Sequence, residues 1–261
     1  MKKILGVPLI FDMYENYPEA LRAYKKRGII NFLMKNHKAA KVLEKFALKK
    51  SDKILTVVKE NKDRLVDQAI EKEKIFVVSN TFDLDQIKIT KDNYSNKIKE
   101  KYFKNYVIIY TGTISANRGL ETPIRSVRYL KEYIDSCKLL IVGDGAHKEN
   151  LLNIVKKESL EKWVDFIKWP GHEYIDQYIE SADIGMIPQP SNGHADTTIP
   201  HKLFEYMIKG KPVLVSDAKP LKRIVEETNC GFVFKSNDPK DFASKVYELK
   251  NSKEKFGENG A

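Results

Sequence analysis

A chain of 261 residues with 42% hydrophobic and 31% charged content can bury one large core or two modest ones, and its composition is that of a globular protein. Cys137 and Cys230, far apart and without metal-ligand spacing, argue against a disulfide framework and a zinc site and fit a reducing cytoplasm. The net charge of +10 favours acidic partners, whether nucleic acid, anionic lipid or phosphorylated substrates, without choosing among them.

The opening Met1-Lys2-Lys3 and the apolar run Ile4–Phe11 resemble a secretion signal only superficially. The run is short, lacks a small-residue cleavage site and is interrupted by Asp12 and Glu15, so a buried strand is expected. Helical patterns at Pro18–Lys35 and Lys38–Lys50 lead to strands at Ile54–Val58 and Ile75–Ser79. A polar, lysine-rich stretch from Gln86 to Lys104 has no strand pattern, which places a linker at 91–104 between domains at 1–90 and 105–261. Beyond it, strands at Tyr106–Thr111, Lys138–Val142, Trp163–Ile167, Ile184–Ile187 and Val213–Ser216 alternate with helical segments at Leu120–Tyr133, Lys148–Lys157 and His201–Lys209. Continuous Val- and Ile-rich runs suit parallel strands covered on both faces, and their alternation with helices implies a doubly wound α/β fold. Only three good strands precede the linker, so the first domain is expected to lack its opening units. No stretch is long enough to cross a bilayer.

Ligands of open parallel sheets bind beyond the carboxyl ends of strands, and three loops there have suggestive content. The first runs from Thr111 through Gly112, Thr113 and Arg118 to Leu120; it is either a tight turn with a solvated arginine or a phosphate contact at a helix start. The second, Val142-Gly143-Asp144-Gly145, carries a lone Gly-x-Gly, because Lys148 stands where a dinucleotide fingerprint needs its third glycine. The third is Thr197-Thr198-Ile199-Pro200-His201-Lys202-Leu203-Phe204-Glu205-Tyr206-Met207, followed by Gly210-Lys211-Pro212-Val213. Pro200 suits the first turn of a helix, Lys202 and Glu205 fall on neighbouring positions of one face, and Leu203, Phe204 and Met207 are expected to face the core. A surface ion pair is the plain reading. The sharper one sets a cation for phosphate beside a carboxylate for ribose hydroxyls.

The run from Ala182-Asp183-Ile184-Gly185 through Pro188 to Met207 and Val213 resembles the donor-site region of the retaining family-four glycosyltransferases, also called group 1, of the GT-B superfamily. Ser51–Val58, Val77-Val78-Ser79-Asn80 with Asp83, Tyr110-Thr111-Gly112 with Arg118-Gly119-Leu120, and Val142–Gly145 follow in that family's order, and Asp12–Pro18 is similar to a segment midway through its first domain. The resemblance implies two Rossmann-like domains, the first incomplete, with a nucleotide sugar on the second and an acceptor on the first. It implies that Glu205 binds the donor ribose, that Arg118 and Lys202 neutralise the diphosphate, that Gly112, Thr113, Gly143 and Gly145 line the donor loops, and that Thr198 and Ile199 offer backbone amides. No metal or other cofactor is then required; the co-substrate is a UDP- or GDP-linked sugar, and transfer to a cell-surface glycan or lipid-linked saccharide retains configuration.

Two departures accompany the resemblance. Thr197 stands where the family often has a second glutamate, with Asp196 beside it as a substitute. The chain is also expected to lack the early glycine-rich loop, the acceptor-side histidine and the C-terminal crossing helix, so that a separate chain could supply the N-terminal part. His37, His147, His172, His194 and His201 are expected to be surface or turn residues. A nucleotide-binding fragment without transfer activity is therefore an alternative. So is a basic membrane-surface module, because positive residues dominate from Arg22 to Lys50 and favour the inner membrane leaflet. Nucleic acid is not expected, since no recognition motif accompanies the charge.

Overall fold

The computed structural model describes residues 6–23, 36–81 and 93–252. The start of the expected first strand, the continuation of the expected Pro18–Lys35 helix through 24–35, and the 86–92 part of the lysine-rich stretch lie outside the described residues. So does much of the basic segment between Arg22 and Lys50. The chain divides into two compact units, one comprising Met1–Asn80 with Ser191–Pro200 and the other Thr81–Pro190 with His201–Ala261.

In the first unit, β1 (Ile10–Met13), β2 (Lys53–Thr56) and β3 (Ile75–Val77) form a parallel sheet in that order. Its helices are α1 (Tyr17–Ala23), α2 (His37–Lys50) and α3 (Lys59–Asp67). A small core gathers Met13, Leu48, Ile54, Leu65, Ile70 and Ile75. Asn36 caps α2 by accepting the amides of Lys38 and Ala39, which satisfies two donors that the first turn cannot. The Ser191–Pro200 segment is tied into this unit by side chains. Asn16 Nδ2 donates to the Gly193 carbonyl at 3.3 Å, Asn80 Nδ2 donates to that of Ile199 at 2.9 Å, and His194 Nε2 meets Glu15 Oε2 at 3.1 Å. His194 stands in a turn, as expected, and is buried there with Nε2 against Glu15.

The second unit opens with α4 (Asn93–Tyr102), which falls in the stretch read as a linker; Ile98 and Tyr102 are buried, and the Tyr102 hydroxyl donates to Asp165 at 3.0 Å. Its six parallel strands are β4 (Tyr106–Thr111), β5 (Cys137–Val142), β6 (Val164–Ile167), β7 (Ile184–Ile187), β8 (Val213–Ser216) and β9 (Gly231–Phe234). They lie in the order β6-β5-β4-β7-β8-β9. The chain thus winds outward from β4 in one direction and then returns to wind outward from β7 in the other, the doubly wound order with its reversal between those strands. Every residue of β4, β7 and β8 is buried, which explains their predominantly apolar sequence. The helices are α5 (Glu121–Tyr133), α6 (Lys148–Lys157), α7 (His172–Glu180), α8 (Lys202–Ile208), α9 (Lys219–Thr228) and α10 (Pro239–Asn251). Ile124, Val127 and Leu130 of α5 meet Phe242, Val246 and Leu249 of α10 in one core with β4 and β5. Each fully buried Ile, Leu or Val side chain contributes about 1.5–3 kcal/mol.

Candidate functional site

β4 and β7 pair directly, Ile108 opposite Ile184 and Ile109 opposite Gly185, so the loops leaving their carboxyl ends arise side by side at the reversal. That position is where open α/β sheets bind ligands. The loop after β4 carries Gly112, Thr113 and Arg118; the loop after β7 begins Pro188-Gln189-Pro190.

Lys202 opens α8 and reaches back to the end of β4. Its ammonium donates to the Thr111 carbonyl at 2.5 Å and lies 3.7 Å from the centroid of the Tyr110 ring. Burial lowers its pKa well below the ordinary lysine value, and the positive charge of Arg118 lowers it further, while Glu205 acts in the opposite direction. Tyr110 is itself buried, which pushes its phenol up to about 12; its hydroxyl donates to the Thr113 carbonyl at 2.8 Å. Gly112 has φ 119°, and a Cβ there would meet Lys202 Nζ at 3.1 Å, so a side chain would crowd the ammonium.

Arg118 ends a short 3₁₀ turn, Ala116–Arg118, and Gly119 follows in the left-handed region, where a Cβ would collide with the Pro188 carbonyl at 2.2 Å. This close approach brings Arg118 Nη1 to Gln189 Oε1 at 2.9 Å. Gln189 is buried, and its carbonyl accepts from the Ser216 hydroxyl at the end of β8. Arg118 Nε is buried and has no hydrogen-bond partner among the described residues. Two cations close enough to depress a lysine pKa are mutually repulsive, and an anion between them would relieve that cost and supply an acceptor for the guanidinium. Glu205 lies one turn along α8 from Lys202, half-buried and accompanied by hydrogen-bonding or electrostatic interactions of its own.

The sequence-predicted residues distribute unevenly. Gly112, Thr113, Arg118, Lys202 and Glu205 fall on β4, its loop and α8 of the second unit. Gly143 and Gly145 follow β5, and close packing accounts for both glycines. A Cβ on Gly143 would stand 1.9 Å from the Gly112 carbonyl oxygen, and one on Gly145 2.2 Å from that of Ile114. Thr198 and Ile199 belong to the first unit; Ile199 is buried with its carbonyl bonded to Asn80. The Thr197 hydroxyl is directed to the carbonyls of Gly193 and His194 at 2.8 and 3.1 Å, and Asp196 accepts from the Ser191 hydroxyl at 3.0 Å.

Two local expectations are corrected. Leu203 and Tyr206, not Phe204 and Met207, face the core, because α8 is only seven residues long and its buried stripe is set at a spacing of three. Pro200 lies outside the helix, whose first residue is Lys202, and the His201 carbonyl already takes the amides of Phe204 and Glu205. Sequence reading missed Gln189, Tyr110 and Tyr206. Tyr206 accepts the Thr111 amide at 3.0 Å and fixes the end of β4; its place three residues after Leu203 was the available signal.

The family described as Glycosyl transferases group 1 matches residues 92–261. Alpha-D-kanosaminyltransferase of Streptomyces kanamyceticus is 22% identical over 272 residues, covering 100% of this chain and 67% of its own length. Amylovoran biosynthesis glycosyltransferase AmsK of Erwinia amylovora is 24% identical over 162 residues, 62% of this chain and 40% of its own. The chain thus spans about two thirds of the first relative and less than half of the second. Among solved structures, Anabaena Alr3699/HepE in complex with UDP and glucose superposes with a TM-score of 0.75 at 18% identity, covering 99% of this chain and 67% of that one. WaaG, a glycosyltransferase involved in lipopolysaccharide biosynthesis, gives 0.74 at 16% identity, with 96% and 69% covered. The fold is the GT-B glycosyltransferase fold. With the family matching well over half of its residues, the chain belongs to the glycosyl transferases group 1.

Proposed function

We propose that this chain carries the donor-binding part of a glycosyltransferase that moves a sugar from a UDP- or GDP-linked donor to a cell-surface glycan or lipid-linked saccharide with retention of configuration. The observation that carries this reading is the half-buried Lys202, its ammonium held at the Thr111 carbonyl and the Tyr110 ring, under the charge of Arg118, at the reversal of the sheet. Solved neighbours crystallised with UDP, and one with UDP-glucose, support a nucleotide-sugar donor. Relatives named for amylovoran and colanic acid biosynthesis support a glycan acceptor.

In this reading Arg118 and Lys202 bind the diphosphate and stabilise the charge that grows on it as the bond from sugar C1 to phosphate oxygen breaks. Such stabilisation needs no divalent ion. The developing sugar cation is oxocarbenium-like, and the acceptor hydroxyl attacks from the face the nucleotide leaves, passing its proton to a phosphate oxygen. Glu205 binds the ribose hydroxyls.

Calorimetric titration with UDP, GDP, ADP and their sugars tests the proposal. One nucleotide is expected to bind, and Glu205→Ala to weaken it by about 10- to 100-fold, the value of a hydrogen bond to a charged group. A folded chain that binds none of them overturns the reading and leaves a fragment without a donor site. Nucleotide binding without turnover favours the inactive-fragment alternative.

A further inference from the structure

We infer that the outward face of α2 (His37–Lys50) docks on the anionic headgroups of a lipid bilayer. This surface does not depend on the donor reading; it stands on the helix itself.

An ordinary surface helix turns its polar side to water, and α2 does so only in part. Its inward side is set by Leu48 and Ala40, both buried. Glu44, the one acidic residue of the helix, is also turned inward, where Arg64 Nη1 pairs with it at 2.8 Å. Lys41 lies 3.4 Å from Glu19. On the far side Val42, Leu43 and Phe46 are 69%, 66% and 62% exposed. Ala39, Val42 and Phe46 follow each other at helical spacing, so they form one ridge about 10 Å long. Lys38, Lys45 and Lys49 flank the ridge on one side and Lys50 on the other, all exposed, with Lys50 Nζ 5.9 Å from the Phe46 ring centroid.

An apolar ridge between cations with no outward acid matches the interface of an anionic bilayer, where the ridge enters the acyl boundary and the ammonium groups meet phosphates. A second copy of the chain is a poor occupant, because two such faces would set lysines against lysines. Nucleic acid would use the charge and leave the ridge in water.

Sedimentation with phosphatidylcholine vesicles, with and without about one third phosphatidylglycerol, tests the assignment. Binding is expected to the anionic vesicles only and to weaken with salt. Near such a surface each basic residue is worth about fivefold, so combined Lys38→Glu, Lys45→Glu and Lys49→Glu should lower affinity by about 100-fold or more. Combined Val42→Ser, Leu43→Ser and Phe46→Ser should also lower it while leaving a salt-sensitive remainder. Lys156→Glu, Lys157→Glu and Lys240→Glu, exposed changes in the second unit, should leave it as it is. All substituted side chains face solvent, and circular dichroism checks that each variant is folded. The inference fails if either α2 triple binds like the parent, if the control triple loses as much, if neutral vesicles bind equally, or if a DNA duplex binds more tightly than the anionic vesicles.

Discussion

The two units share a strand–helix–strand plan and differ in how well it is covered. In the second, β4, β7 and β8 are buried along their full length, and helices from both ends of the unit close over β4 and β5. In the first, Ile10 is 58%, Phe76 45% and Val78 57% exposed, and the core gathers six buried side chains among the described residues. The same parallel topology thus yields one saturated interior and one that still shows apolar side chains to solvent. The residues able to hold a charged ligand stand on the saturated one, whose enclosed strands give them fixed neighbours.

The largest effect expected from this contrast is in the core of the second unit. Leu139→Ala should cost about 2–5 kcal/mol in urea unfolding, because β5 is enclosed and the cavity cannot collapse. A cost below about 1 kcal/mol would break the picture of a saturated interior. Next in size is a difference in opening. Amides of residues 6–23 and 36–81 should exchange about 10- to 100-fold faster than those of 106–234, since fewer buried contacts hold them. Equal protection would sink that claim.

The smallest effect is a pH dependence confined to the second unit. Nucleoside diphosphate affinity should be greatest where Lys202 is protonated and fall, by about tenfold at most, as pH rises through its lowered pKa. In Lys202→Met the profile should be weaker and flat. Folding stability should move the other way: between the lowered value and the ordinary lysine value the unfolded chain binds more protons, so stability rises with pH there. A parent profile as flat as that of the variant would remove Lys202 from the binding event.

Much of the second unit was legible because enclosure writes itself into sequence. Tyr106–Thr111, Ile184–Ile187 and Val213–Ser216 were expected at their observed bounds, each being a run with no polar face to blur it. Gly231–Phe234 escaped notice, since two of its four residues are only half-buried and the run is short. The α10 helix escaped as well, although Asp238 followed by Pro239 is a helix start, with the Asp238 carboxylate accepting the amides of Lys240 and Asp241. At the site, the Gly112 loop and the Lys202 segment could be paired from their motifs. Gln189 could not, because its partnership with Arg118 arises only once β7 lies beside β4, and strand order is not written locally. The glycines after β5 taught the reverse lesson: a pattern that invites a ligand reading is also what two interlocking loops demand.

The Ser191–Pro200 segment makes the first unit discontinuous: the chain leaves the second unit after Pro190 and re-enters it at His201. No single cut separates the two units. A piece starting at residue 81 would retain the segment but lose Glu15, Asn16 and Asn80, which hold His194, Gly193 and Ile199. The ten residues just before His201 would then lose all three of those contacts. Recombination that exchanged the first unit among such enzymes would therefore have to carry two stretches of gene, or re-match those three contacts after every exchange.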